Sequence, residues 1–181
     1  MDGSFSESAL ISRVNSDLAN DLGNLLHRTL SMIEKYFSGI VPERRKITHA
    51  DELTKPIVNK AKGLAGEISS AMDKIDFSAA LVCMWELVNM ANKFIEDKAP
   101  WKLSKEKKID ELKDMMYDLY EVLRIVSVSL WPFLPMASEE MAQQLGLADK
   151  KKRGLKDLTW GLAKSGTKIN KGKPLFPRIE T

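Results

Sequence analysis

The stretch from Ser6 to Tyr36, SESALISRVNSDLANDLGNLLHRTLSMIEKY, most constrains what this chain can become. Leu10, Ile11, Val14, Leu18, Leu22, Leu25, Thr29, Met32, Ile33 and Tyr36 recur at three- and four-residue spacing, which lines them up on one face of a helix. Ser6 is placed to cap its start, and Ser38-Gly39 supplies a stop after Phe37. A stripe this long is buried most readily against other helices, so the expectation is a helical bundle. Opposite the stripe, Asn20, Asn24 and Arg28 recur every four residues and project from one side of the rod. Two amides and a guanidinium in a row make a hydrogen-bonding surface. A solvated helix face shows the same pattern, and spacing alone leaves both readings open. Asparagine competes for backbone hydrogen bonds and is a poor helix former, so two of them in mid-helix do not serve local stability. Gly23 in mid-helix costs roughly 1 kcal/mol against alanine, which predicts a close approach to the backbone there.

The rest of the chain repeats the helical period. From Ile40 to Asp51 the polar stretch IVPERRKITHAD reads as a connection across the end of a bundle. Leu53, Ile57, Val58, Ala61, Leu64, Ala65, Ile68, Ala71 and Met72 mark a second helix, and Pro56, tolerable only in a first turn, places its start near Thr54 or Lys55. Asp76 caps a third helix, from Phe77 to about Lys98, which Ala99-Pro100 stops because the residue before a proline is pushed out of the helical region. A fourth runs from about Lys105 until LWPFLP interrupts it, and a short fifth covers Ala137 to Leu145, ended by Gly146. Beyond it, a basic linker leads into TKINKGKPLFPRIET, whose glycines and prolines suit a turn with short extended pieces lying back along the bundle. The predicted fold is all-α: an antiparallel bundle of four main helices over about 6–146, with a short fifth helix and an extended tail over about 147–181. The whole of 1–181 forms one domain.

Composition narrows the function classes. The single cysteine, Cys83, lies in the apolar run AALVCMWELV as a small buried hydrophobe, so no disulfide forms within the chain, which fits a reducing, cytoplasmic setting. The N-terminus lacks a basic segment followed by an apolar one, and no run approaches the roughly 20 apolar residues that span a bilayer. The expectation is a soluble, untargeted protein with no membrane partner. A net charge of +3 is mild, but positive residues cluster late, at Lys105, Lys107 and Lys108, at Lys150 to Arg153, and at Lys164, Lys168, Lys171 and Lys173. Such clusters suit phosphate binding or simple solvation equally.

Catalytic chemistry is missing from the sequence. GLAGE and GLAKSG lack the spacing of a phosphate-binding loop, and no nucleophile is paired with a base. His27 and His49 have no third ligand nearby, so no metal site is expected. The other distinctive residue is Trp101, in NKFIEDKAPWKL, immediately after the proline that stops the third helix. A ring there either stacks on an unpaired base or folds back over the helix terminus.

The strings SDLANDLGNLLHR, NKFIEDKAPWKL, LWPFLPMASEEM and GKPLFPRIE, in this order and with these separations, resemble the C-terminal anticodon-binding domain of bacterial-type methionyl-tRNA synthetases over about residues 2–180. The resemblance implies that Asn24 and Arg28 hydrogen-bond anticodon bases, that Trp101 stacks on the first anticodon base, and that Pro100 fixes its position. Asn20, Lys102 and Lys105 are added from geometry and charge as further RNA contacts. It implies a methionine tRNA with a CAU anticodon as partner, together with the chain's own Rossmann-type catalytic domain, and no DNA. The HIGH-like and KMSKS-like signatures of that domain do not occur here. The fragment is therefore expected to be no catalyst and to bind no cofactor itself, while ATP, methionine and the zinc often found in the family belong to the catalytic half of an ATP-dependent methionine–tRNA ligase. Two rivals remain at this level. One is the anticodon-binding bundle of a related class I synthetase, such as the isoleucyl or valyl enzyme; the other is a helical protein-interaction module without RNA affinity, in which Arg28 and Trp101 are replaceable.

Overall fold

Ser6 does cap the first helix, its hydroxyl accepting a hydrogen bond from the Ala9 amide at 3.3 Å. The computed structural model of the chain describes residues 6–45, 52–147 and 154–180. Helix α1 (Glu7–Arg13) continues without a break into a segment bonded i to i+5 (Val14–Gly23) and then into α2 (Asn24–Phe37). The expected regular α-helix is therefore corrected over its second quarter, where the rod is a π-helix. The sequence VNSDLANDLG explains why: its polar residues and terminal glycine hold the α ladder weakly. Two π-segment carbonyls bond instead to the neighbouring helix, with Trp85 Nε1 donating to the Asp17 carbonyl at 3.3 Å and Asn92 Nδ2 to that of Asp21 at 3.1 Å. The buried stripe also differs from the one expected. Leu10 stays exposed, while Leu26 and Leu30 join Leu22, Leu25, Thr29 and Ile33 in the core.

Helices α3 (Thr54–Asp73) and α4 (Phe77–Lys98) form an antiparallel hairpin across the turn at Lys74–Asp76. Asp76 caps α4, its carboxylate accepting from the Ala79 amide at 2.9 Å. Asp76→Ala is expected to lower stability by about 1 kcal/mol, read as a reduced melting temperature with unchanged helix content. Ala99 ends α4 in the left-handed region at φ 44°, and Pro100 then opens a separate short helix, α5 (Pro100–Lys105). That helix was not expected, and the fourth main helix, α6 (Ile109–Ser129), starts correspondingly later than Lys105. Pro135 is not part of an interruption but the first residue of α7 (Pro135–Gln144). There a missing amide hydrogen is harmless. Gly146, at φ 71°, lies where a Cβ would collide with the Lys168 carbonyl of the returning tail.

Helix α6 is the centre of the molecule. Nearly every residue from Leu112 to Ser129 is buried, including Asp114, Asp118, Glu121 and Arg124, so it is enclosed all round rather than amphipathic. Its charges are paired. Arg44 donates to Asp118 at 2.6 Å, and Arg45 donates to Asp114 through both its amide and its side chain, which docks the start of the connection after α2. The remainder of that connection, with His49, and the cluster Lys150–Arg153 lie outside the described residues. Cys83 is half-buried rather than fully enclosed. Among the described residues, no helix is long and apolar enough to cross a membrane, and no cluster of His, Cys, Asp and Glu has metal-binding geometry.

The tail lies along the bundle, as its composition suggested, and its attachment points run in sequence. A 3-10 turn (Leu155–Leu158) packs on α6. Ala163 then accepts from the Tyr117 hydroxyl at 2.9 Å, and Lys168 forms an antiparallel bridge with Ile40 at the end of the rod. Next, Gln144 donates to the Lys173 carbonyl at 3.0 Å, and the last residues run back along the rod to its π segment.

Candidate nucleic-acid interface

The residues singled out on the first helix fall on two kinds of backbone. Asn24 and Arg28 belong to α2, whereas Asn20 belongs to the π segment. Asn20 and Asn24 are exposed. Arg28 is held, its Nη2 donating to the Glu96 carboxylate at 2.6 Å. Glu96 stands in the last turn of α4, directly before the corner that carries Pro100 and Trp101. The structure thus ties the Arg28 side chain to the end of the bundle that presents the tryptophan.

The corner is rigid for a physical reason. A non-glycine residue in the left-handed region costs roughly 1–2 kcal/mol, so Ala99 holds that conformation only because its surroundings demand it. Its amide bonds to the Ile95 carbonyl at 3.0 Å, and both Ala99 and Pro100 are buried. The proline also fixes φ at the first position of α5. Trp101, which follows, is 47% exposed, which leaves part of its surface open to a partner. Lys102 and Lys105 are exposed on the same short helix, which places positive charge beside the ring.

Along the same side of the rod, beside Asn20 and Asn24, the tail closes a groove of about 470 Å³ between the π segment and Phe176. The close approach predicted at Gly23 occurs here, and its source is the chain itself: a Cβ on Gly23 would stand 3.7 Å from the Phe176 ring and 3.1 Å from the Leu18 carbonyl. Asn20 Oδ1 accepts from Arg178 at 2.7 Å. Asp21, on the side of the rod that faces α4, has its carboxyl pushed up by burial and by the neighbouring Asp17 carboxylate.

Reading the sequence missed Glu96, Asn92 and Arg178. A carboxylate near a helix end and an arginine in an extended tail look like solvated charges, and no local pattern marks them as partners of the rod. Nothing local marks Asn92 as a partner of the rod either, because its bond to a π-segment carbonyl cannot be inferred without the π segment.

Residues 54–167 match the family model described as the anticodon-binding domain of tRNA ligase. Methionine–tRNA ligase of Caldanaerobacter subterraneus subsp. tengcongensis is 44% identical over 180 residues, which is 99% of this chain and 28% of that protein. The Bacillus subtilis methionine–tRNA ligase is 41% identical over 180 residues, again 99% of this chain but 27% of that protein. In the crystal structure of the free Mycobacterium tuberculosis methionyl-tRNA synthetase, a region corresponding to 100% of this chain and 36% of that one superposes with a TM-score of 0.90 at 30% identity. The chain therefore spans little more than a quarter of the length of these curated relatives.

Proposed function

The chain belongs to the anticodon-binding domain family of tRNA ligases, and from that premise we propose that it reads the CAU anticodon of methionine tRNA through the α2 face and the α5 corner. The observation that carries this reading is the joining of Arg28 to the end of α4 that presents a half-exposed Trp101. Anticodon bases are unstacked in a single-stranded loop, so their faces are open to an indole and their edges to amide and guanidinium donors. Trp101, seated by Ala99 and Pro100, supplies the stacking surface. Asn24 supplies a donor and an acceptor, and Arg28 keeps N–H groups beyond the one given to Glu96. A wrong base leaves one of these groups unpaired, which is how the face discriminates. Lys102 and Lys105 attract the loop's phosphates without sequence preference. In the longer protein this face anchors the tRNA while a catalytic domain that binds ATP and methionine charges the distant acceptor end in the cytoplasm.

The test is binding of an anticodon stem-loop bearing CAU against hairpins with single anticodon changes, at one fixed low salt concentration. The chain is expected to prefer CAU, and Arg28→Ala is expected to remove about tenfold or more of that preference. A helical interaction module predicts equal binding to every hairpin and no effect of the substitution; that outcome rejects the anticodon reading.

A further inference from the structure

Arg178 lies in the extended tail, 158 residues from the amide it contacts, and the anticodon reading assigns it no task. Its guanidinium donates to Asn20 Oδ1 at 2.7 Å. The chemistry settles which way that amide faces. A guanidinium has only donors, so the carboxamide must turn its oxygen to Arg178, and its NH₂ group is left pointing away from the tail. Without Arg178, the Asn20 amide is free to present either end.

The tail is seated so as to deliver this contact. Ile179 exchanges two hydrogen bonds with the Asn15 side chain, its amide donating to Oδ1 at 2.9 Å and its carbonyl accepting from Nδ2 at 3.0 Å. Phe176 packs over Gly23, its ring 3.7 Å from where a Cβ would stand, an ordinary contact distance. Asn15, Asn20 and Gly23 all lie in the π segment. In an α-helix, residues five apart point about 140° away from each other. In a segment bonded i to i+5 the wider turn brings them much nearer to one side, and Asn15 and Asn20 both contact the same strand of tail. The π geometry is therefore what lets one strap grip both asparagines.

We propose that Arg178 is a positioning residue of the anticodon interface: it fixes the Asn20 carboxamide with its N–H donors outward, so that Asn20 recognises acceptor atoms on a base edge. This role rests on the anticodon reading above. It makes the tail part of the specificity apparatus and not merely a covering of the bundle.

The experiment uses the whole 181-residue chain. Wild type, Arg178→Ala, Arg178→Lys, Asn20→Ala, Asn20→Asp and the Arg178→Ala/Asn20→Ala pair are titrated with the CAU hairpin and with hairpins changed at each anticodon base, and the Asn20 side-chain amide is followed by NMR. Arg178→Ala is expected to move the Asn20 amide signals and to reduce discrimination about tenfold at one anticodon position, with discrimination at the other two retained. Arg178→Lys, which still donates to Oδ1, restores much of it. Asn20→Asp keeps an acceptor for Arg178 and so keeps the tail in place, yet loses discrimination because its donors are gone. In the Asn20→Ala background, Arg178→Ala has no further effect. If Arg178→Ala weakens all hairpins equally, and does so with Asn20 already removed, Arg178 contacts the RNA backbone and the positioning role is wrong. Unmoved Asn20 signals also overturn it. A wild type that binds every hairpin alike overturns the anticodon reading together with this role, whereas a discriminating wild type matched by Arg178→Ala overturns the role of Arg178 alone.

Discussion

Glu121→Ala is expected to lower the stability of the folded chain by about 3–5 kcal/mol, the range found when one partner of a buried ion pair is removed. Glu121 is fully buried in the middle of α6, and its carboxylate accepts from Arg124 Nε at 2.7 Å and Nη2 at 2.9 Å. The same carboxylate accepts the backbone amides of Gly161 at 2.6 Å and Leu162 at 3.0 Å. Arg124 in turn donates to the carbonyls of Asp157 and Thr159 at 2.6 and 2.8 Å. Alanine at this position leaves a buried guanidinium without its counter-charge and two tail amides without their acceptor. Each is costly because water cannot replace what is lost. Urea unfolding followed by circular dichroism measures the change, and a loss below about 1 kcal/mol would mean that the pair contributes no more than an exposed one. Glu121→Gln, which keeps a carbonyl oxygen for the two amides, is expected to lose less. Because this knot is the root of the tail, limited proteolysis between residues 154 and 180 should quicken in Glu121→Ala before the helices unfold.

Trp101→Ala carries the other large effect. Base–aromatic stacking is worth on the order of 1–3 kcal/mol per base, so affinity for the CAU hairpin is expected to fall by roughly tenfold to a hundredfold or slightly more. The melting temperature should hardly move, since Trp101 is 47% exposed and its truncation leaves no sealed cavity. That dissociation between binding and stability is the informative part. Trp101→Phe, which retains a π face, should recover a large share of the binding, while binding to a hairpin without an unstacked loop should be insensitive to either change. A Trp101→Ala chain that binds CAU as the wild type does would show the ring to be a surface residue with no part in recognition.

Much of the frame was readable because it is written in local chemistry. Ser6 and Asp76 act as caps where a hydroxyl or carboxylate precedes an apolar period, and the αL stops at Ser38 and Ala99 fall where glycine or proline follows. Pro56 was rightly confined to a first turn. The short helix at Pro100–Lys105 was missed because proline was weighed as a stop and not as a start, and both roles follow from the same fixed φ. The encirclement of α6 is not legible in the sequence, because its buried charges look like a solvated face until their partners Arg44, Arg45 and the tail are in place. For the site, Asn24, Arg28, Pro100 and Trp101 were singled out through a family resemblance joined to residue chemistry, whereas Glu96 and Arg178 left no local mark.

The sequence by itself determined the helical period, the caps and breaks, the all-α class and the family, since each depends on residues within a few positions of one another or on strings matched in order. Only the tertiary structure decided that the rod passes through a π segment, that Phe176 is what comes close to Gly23, and that Arg178 turns the Asn20 amide. Those outcomes depend on contacts between residues more than 60 positions apart, such as Trp85 with Asp17 and Asn92 with Asp21. A weak local preference for the α ladder gives way there to hydrogen bonds that exist only once the helices have packed.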